Sequence, residues 1–273
     1  MPLDALVLAL AAAVVHALWN LLTARSGESQ VAAGVALGVG TLAFLPVALL
    51  TWDVRAGVAP YIVASTALEV AYLALLATAY QRAPLTVVYP IARGTAPVIV
   101  LAISVLALGE SLPAAAGIGV LAVGAGVVLV RGTGRAQGGT VLGLAVAACI
   151  AGYTLVDHAG LDHAAAIPYL ELVMIPTSIV YLAGAAVLRG PRALLAEVRP
   201  PVVVAGLGMF GAYALALAAL ERAAAAPVAA VRESSVVIAT GLAAVVLGER
   251  VDGARWAGAV LVVAGVGAIA LAG

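Results

Sequence analysis

Apolar residues run along this chain in long stretches, separated by short groups of charged residues, glycine and proline. About 20 apolar residues in a helix are enough to cross the hydrocarbon core of a bilayer, because a helix rises about 1.5 Å per residue. Cutting the chain at its polar groups predicts ten helices of that length. They are placed at residues 3–24, 30–50, 58–80, 84–107, 112–130, 139–157, 165–188, 201–220, 224–247 and 254–272.

The composition indicates a membrane protein as well. Of the 273 residues, 65% are hydrophobic and only 10% are charged, whereas a soluble domain is about 45–50% apolar and about 25% charged. So few charges cannot cover a soluble fold of this size, and the lipid bilayer is the expected surrounding. The net charge is zero and no basic run is present, so nucleic acid is not expected as a partner. Cys149 is the single cysteine, which excludes a disulfide within the chain.

The two halves of the chain carry the same landmarks in the same order. Arg93 and Glu110 in the first half correspond to Arg232 and Glu249 in the second half, at an identical separation. The helix that follows in each half also repeats its glycines, at Gly117, Gly124 and Gly126 and again at Gly258, Gly265 and Gly267. Chance similarity in a chain rich in alanine, glycine and valine is the alternative, and the shared order of the landmarks argues against it.

These landmarks divide the chain into a first five-helix repeat at 1–134 and a second at 135–273. Because five is an odd number, the second repeat must enter the membrane in the opposite orientation to the first. The predicted fold class is therefore an all-α polytopic membrane protein, with ten transmembrane helices arranged as two inverted five-helix repeats around a central cavity. Secondary transporters have this architecture, and their substrate sites lie near the bilayer midplane.

Polar and charged side chains at membrane depth are the best indicators of a functional site. They are costly there, so they usually face a cavity or a partner. The candidate substrate-binding residues are His16, Trp19 and Asn20 in the first predicted helix, Glu69 and Tyr72 in the third, Tyr89 and Arg93 in the fourth, Tyr213 in the eighth, and Arg232 and Ser234 in the ninth.

Each charged candidate has a binding role and a structural alternative. Arg93, together with Arg232, would hold an anionic group of the substrate. Glu69 would bind a coupling proton or recognise an amine, or it would form a purely structural ion pair with Arg93. Arg232 and Glu233 are neighbours on a helix, about 100° apart, so they cannot face the same way. His16 is either a proton carrier or a packing residue bonded to a polar neighbour.

A cluster at 157–163 resembles a set of metal ligands, because it holds Asp157, His158, Asp162 and His163. This segment follows a predicted helix end, so we interpret it as a solvated connection. No metal, cofactor or catalytic constellation is expected at membrane depth, and the chain is not expected to be an enzyme. A P-loop is absent from the sequence, which excludes ATP as the direct energy source.

Several motifs together resemble the EamA-type transporters of the drug/metabolite transporter superfamily. They are the VYPIARGTAP sequence at 88–97, LGE at 108–110, HALWN at 16–20 and VRESS at 231–235, followed by a second LGE at 247–249. The resemblance covers both halves. It implies ten helices, an inverted repeat with a central cavity, and alternating access. Arg93 and Arg232 fall on the family's repeated arginine positions.

The resemblance implies a secondary transporter of a small organic metabolite, amino-acid-like or an organic anion, that works as an exporter. Multidrug efflux and passive facilitation are the alternatives. The expected location is the inner or plasma membrane, as a multi-pass protein. A small-molecule substrate is the expected partner, with a proton as the candidate coupling ion. The glycine-rich faces of the fifth and tenth helices suit close helix packing or a dimer contact, so the protein is expected as a monomer or a homodimer.

The arginines also predict an orientation. Most loop arginines lie on the face opposite the N-terminus, whereas only Arg55 and Arg222 lie in loops on the N-terminal face. The positive-inside rule then places both termini outside the cytoplasm. Relatives of this type are usually drawn with both termini inside, so the charge pattern and the resemblance disagree.

Overall fold

The computed structural model describes residues 1–24, 30–82, 85–131, 137–247 and 252–272. Apart from one isolated bridge between Val54 and Ala164, these residues form helices and their connections. The helices are α1 Leu3–Ala24, α2 Gln30–Leu50, α3 Ala59–Arg82, α4 Leu85–Leu106, α5 Ala114–Arg131, α6 Gln137–Gly160, α7 Ala166–Arg189, α8 Pro191–Ala196, α9 Pro200–Leu220, α10 Ala225–Arg232, α11 Ser234–Leu247 and α12 Gly253–Leu271. The repeated Gly248 and Glu249 lie outside the described residues.

The all-helical fold is confirmed, and the predicted helix ends agree with the structure to within one turn. In the described part of the chain, eight helices are long and apolar enough to cross a membrane, and α1 and α5 contribute two shorter apolar segments. The count of ten spans stays a prediction. Large apolar side chains cover the outside of the bundle: Leu106, Leu188 and Leu271 are 85%, 81% and 90% exposed. Such a surface fits lipid rather than water.

The ninth predicted helix is divided in two. Helix α10 ends at Arg232, Glu233 forms a turn, and α11 begins at Ser234. The amide of Glu233 donates to the carbonyl of Ala230 at 3.0 Å, which tightens the last turn of α10. No proline or glycine lies at the break, so the sequence pattern could not predict it. The break places two adjacent charged residues inside the bundle.

The most extensive helix contacts join the first half of the chain to the second half. Helix α5 packs along α12, and α2 packs along α7. Two further sets of contacts match between the halves. The contact of α3 with α6 matches that of α9 with α1, and the contact of α4 with α6 matches that of α10 and α11 with α1. The two halves are therefore interleaved, and a site in the centre of the bundle is built from both.

Helices α5 and α12 meet through glycine. A Cβ atom at Gly126 would lie 2.7 Å from the carbonyl oxygen of Gly258, and one at Gly119 would lie 2.6 Å from that of Gly265. Because higher residue numbers in α5 meet lower numbers in α12, the two helices are antiparallel. Small residues allow such backbone contact between membrane helices.

At one end of the bundle, two connections, 51–58 and 161–165, are hydrogen-bonded to each other. The amide of Arg55 donates to the carbonyl of His163 at 2.7 Å, and the amide of Ala165 donates to the carbonyl of Asp53 at 2.9 Å. Helix α3 begins at this face, while α6 ends there and α7 begins there. We name this end the bridged face.

Candidate functional site

Asp157 is the centre of a buried polar cluster. Its Oδ1 accepts hydrogen bonds from Ser65 at 2.5 Å and from Tyr169 at 3.1 Å, and its Oδ2 accepts one from Tyr213 at 2.6 Å. The expectation of a solvated loop is wrong for Asp157, because α6 continues to Gly160 and the side chain is only 1% exposed.

Tyr213 links this cluster to Glu69. Its hydroxyl oxygen lies 3.0 Å from Oε1 of Glu69 as well as 2.6 Å from Asp157. Glu69 is 7% exposed and lies one helical turn beyond Ser65, so both side chains leave the same face of α3. Two carboxyl groups from opposite halves of the chain therefore contact one phenol.

Three tyrosine rings continue from the carboxyl groups toward the middle of the bundle. The ring centroids of Tyr213 and Tyr153 are 6.3 Å apart, and those of Tyr153 and Tyr72 are 6.1 Å apart at 77°. Edge-to-face contacts of this length are favourable for aromatic rings. Tyr153 also lines a pocket with Arg93 and Arg232, so the tyrosine rings connect the carboxyl groups with that pocket.

Arg93 makes an ion pair with Glu233, with 3.0 Å between Nε and Oε2. The structural ion pair between Glu69 and Arg93, which was one of the alternatives for Glu69, is not formed; Glu69 contacts Tyr213, and Arg93 contacts Glu233. The positive charge of Arg93 is therefore largely balanced within the protein. Arg232 and Glu233 line the same pocket, so the expectation that they cannot face the same way is wrong; it assumed a continuous helix, whereas α10 ends at Arg232.

Arg232 has a different environment. Within the described residues, no carboxylate lies within 4 Å of its guanidinium group, although that group is within electrostatic range of His16, Glu69 and Asp157. Its charge is thus available in the pocket, near two carboxyl groups but not neutralised by direct contact.

The remaining candidates lie at various distances from this centre. The rings of His16 and Trp19 are in edge-to-face contact at 5.2 Å, and His16 is within electrostatic range of both arginines. Tyr89 is within the same range of Arg93. Ser234 donates its hydroxyl to the carbonyl of Val231 at 2.8 Å. The side chain of Asn20 lies outside the described part of the structure.

The residues that resembled metal ligands are dispersed. His158 donates from Nδ1 to the carbonyl of Leu220 at 3.0 Å, His163 stacks on Tyr61, and Asp162 is exposed. Over the described ranges, no group of three metal-binding side chains is found.

Sequence reasoning missed Asp157, Ser65 and Tyr169 as parts of the site. A signal for Ser65 was present, because it precedes Glu69 by four residues on a helix. Asp157 follows Tyr153 at the same spacing and is the last residue of the predicted sixth helix, so it would have been placed on the inner face if it had not been grouped with the residues of the connection. Tyr169 gave no comparable signal.

The fold and the buried polar centre define a multi-pass helical membrane protein whose two halves enclose a charged interior. Residues 137–271 match the EamA-like transporter family. This match over the second half of the chain confirms the resemblance to the drug/metabolite transporter superfamily. The members of this family are membrane transporters, so the match indicates a membrane transporter of small molecules.

Comparison with solved structures supports the fold across the whole chain. One matching chain, described only as "Crystal structure of protein", has a TM-score of 0.79 and 19% sequence identity, and the match covers 98% of each chain. At this identity the likeness concerns the fold alone. No curated protein sequence matches the chain.

Proposed function

We propose that this protein is a secondary transporter that exports a small organic metabolite with an amino-acid-like pair of charges, by alternating access. The observation that carries the proposal is the placement of Arg232. Arg232 lines a small pocket together with Arg93 and Tyr153, has no ion-pair partner among the described residues, and is within electrostatic range of Glu69 and Asp157. A cation and an anion are thus held apart inside one bundle.

The chemistry of these groups favours a zwitterionic substrate. A guanidinium group binds a carboxylate well because its planar donors match the two oxygens. A carboxylate at Glu69 would accept the substrate's ammonium group, and Tyr72 and Tyr153 would contact its apolar part. Arg93 contributes less to binding in this proposal, because Glu233 already balances its charge.

The pairing of helices supports alternating access between inverted repeats. In the proposed repeat, α1 corresponds to α6 and α3 corresponds to α9. The contact of α3 with α6 therefore corresponds to that of α9 with α1, and both contacts are extensive. The antiparallel contact of α5 with α12 is converted into itself. A two-fold axis in the membrane plane has this effect, and it would let either end of the bundle open.

Binding can be tested with three probes that share one carbon skeleton: leucine, isopentylamine and 4-methylpentanoate. We expect leucine to raise the thermal unfolding temperature of the purified protein more than the amine or the acid. Arg232→Gln should remove the advantage of leucine over the amine. Arg192→Gln, on the exposed surface of α8, is the matched control and should keep it. If leucine does not raise the unfolding temperature, the same comparison is run with the other standard amino acids.

Transport is tested in proteoliposomes loaded with the probe that binds best. Counterflow of labelled probe should be lost in Arg232→Gln and kept in Arg192→Gln. Equal counterflow in both variants would refute the assignment of Arg232. Movement down a concentration gradient without counterflow or accumulation would instead identify a passive facilitator.

A further inference from the structure

We propose that Glu69 and Asp157, bridged by the hydroxyl of Tyr213, bind one exchangeable proton that couples transport to a proton gradient. The coupling to transport rests on the proposed function, whereas the proton site itself can be tested without any substrate. It assigns Asp157 and Tyr213 to a site that the sequence pattern connected only with Glu69.

The argument begins with a count of protons. The hydroxyl oxygen of Tyr213 is within hydrogen-bond distance of Glu69 at 3.0 Å and of Asp157 at 2.6 Å. A phenol carries a single proton, so it can donate to only one of the two carboxyl groups. If both were ionised, the other contact would join two acceptor oxygens. A proton on one carboxyl group turns that contact into a second hydrogen bond.

The partners of Asp157 indicate where the proton resides. Ser65 and Tyr169 both donate to Oδ1 of Asp157, and Tyr213 is closest to its Oδ2. Three donors satisfy a carboxylate at Asp157. Glu69 then carries the proton and donates it to the oxygen of Tyr213, which donates its own proton to Asp157.

A second arrangement needs only a shift along the same bonds. The phenol passes its proton to Asp157 and receives the proton of Glu69, so that Glu69 becomes the carboxylate. Each oxygen keeps its hydrogen-bond partners, and one O–H bond breaks for each that forms. The pair therefore holds one proton in two positions.

Burial supports a single shared proton. Glu69 and Asp157 are 7% and 1% exposed, and within the described ranges neither has a cationic side chain at ion-pair distance. Two uncompensated negative charges at this depth would be costly. Among the described residues, the other titratable or charged groups around the pair are Tyr72 on α3 (which contacts Tyr153), Cys149 and Tyr153 on α6, Tyr169 on α7 and Arg232 on α10.

The position of the two carboxyl groups suits coupling. Asp157 is three residues from the end of α6 at the bridged face, whereas Glu69 is ten residues into α3, about 15 Å along that helix. Opening of the bridged face would expose Asp157 to water first. The shared hydroxyl then gives a proton a path between that face and the middle of the bundle.

Coupling follows from competition at Glu69. A substrate ammonium group requires the carboxylate, whereas the resting arrangement holds a proton there. An ammonium group at Glu69 would shift the proton to Asp157, and because the ammonium supplies the positive charge that the proton had supplied, Asp157 would then release that proton to solvent; release of the substrate would allow a proton to return. Proton and substrate then exclude each other, as proton antiport requires.

The proton is tested directly by infrared difference spectroscopy of the full chain in lipid nanodiscs, titrated with pH and without substrate. We expect the pair to give one band of a protonated carboxyl group that disappears as the pH rises, separate from any band that Glu171 contributes. Glu69→Gln and Asp157→Asn should each remove that band. Tyr213→Phe deletes only the bridging oxygen and should shift the band and the pH at which it disappears. Tyr213→Phe also tests the shared proton if a carboxyl variant fails to fold.

Glu171→Gln is the matched control. Glu171 is a membrane-depth carboxyl group on α7 that is 1% exposed, and it makes no hydrogen bond among the described residues. The pH-dependent band should survive this substitution. An unchanged band in both Glu69→Gln and Asp157→Asn would overturn the proposal, and loss in Glu69→Gln alone would show that the proton is not shared.

A second measurement connects the proton to the proposed function. A pH indicator in weakly buffered proteoliposomes should report one proton released per leucine bound by the wild type and none by Glu69→Gln. If leucine and the other amino acids do not bind, the proposed substrate class fails while the infrared result still decides the proton site. If binding occurs without proton release in the wild type, the coupling role is refuted.

Discussion

The guanidinium group of Arg93 on α4 and the carboxylate of Glu233 between α10 and α11 form an ion pair across the two halves of the chain, with 3.0 Å between Nε and Oε2. Their side chains are 11% and 5% exposed. The pair joins the break between α10 and α11 to α4, and it lies beside Arg232, which has no ion-pair partner among the described residues.

Removing one partner of this ion pair should destabilise the protein strongly. Arg93→Gln leaves the carboxylate of Glu233 buried without its cation, which costs about 3–5 kcal/mol in comparable buried pairs. The double variant Arg93→Gln/Glu233→Gln should recover part of that loss. The measurement is thermal or denaturant unfolding in detergent.

The pair Arg199–Glu197 provides the control for that experiment. Arg199 is 47% exposed, so Arg199→Gln should change stability by only about 0–1 kcal/mol. If Arg93→Gln and Arg199→Gln had equal small effects, the ion pair would have no structural role.

The glycine contact between α5 and α12 predicts opposite effects for two alanine substitutions in one helix. Gly126→Ala would place a Cβ atom 2.7 Å from the carbonyl oxygen of Gly258, so it should destabilise the protein by about 1–3 kcal/mol. Gly117→Ala meets nothing within 4 Å and should stabilise it by about 0.4–1 kcal/mol. Unfolding temperatures of the two variants decide the matter, and equal shifts would contradict the contact.

Locking the bridged face should stop alternating access. Val54 and Ala164 are directly opposite in the isolated bridge, a separation that a disulfide can span. In a Cys149→Ala background, oxidation of Val54→Cys/Ala164→Cys should abolish counterflow, and a reductant should restore it. Each single-cysteine variant is the control, and undiminished transport by the oxidised protein would argue against opening at this face.

Labelling from each side of the membrane tests the orientation. With Cys149 replaced by alanine, Asp162→Cys lies at the bridged face and Arg192→Cys lies on α8 at the other end of α7. The arginine pattern predicts that an impermeant maleimide labels Asp162→Cys in whole cells and Arg192→Cys only in inside-out vesicles. The reverse pattern would place the termini in the cytoplasm.

Much of the fold could be predicted from the sequence, because apolar stretches and their polar boundaries determine where membrane helices begin and end. The end of α6 is an informative exception. Asp157 and His158 resemble a loop when only neighbouring residues are considered, yet their partners are Ser65, Tyr213 and the carbonyl of Leu220. A charged residue continues a helix when distant hydrogen-bond partners satisfy it, and those partners are invisible to a local pattern.

The candidate site was only partly predictable for the same reason. The repeat relates Arg93 to Arg232, which are equivalent in sequence, whereas the contact in the structure joins Arg93 to Glu233. Equivalence under a repeat identifies positions with similar surroundings but does not identify which side chains touch. The charge left in the pocket at Arg232 follows from that choice of partner.

The contact of α5 with α12 also constrains how the sequence can change. A Cβ atom at Gly119, Gly126, Gly258 or Gly265 would lie within 3 Å of a backbone carbonyl oxygen of the other helix. A side chain can be shortened by mutation to make room for a larger neighbour, but a carbonyl group cannot. No second mutation in the opposite helix can relieve a first one at these positions. Replacing any of these glycines therefore requires the two helices to move apart.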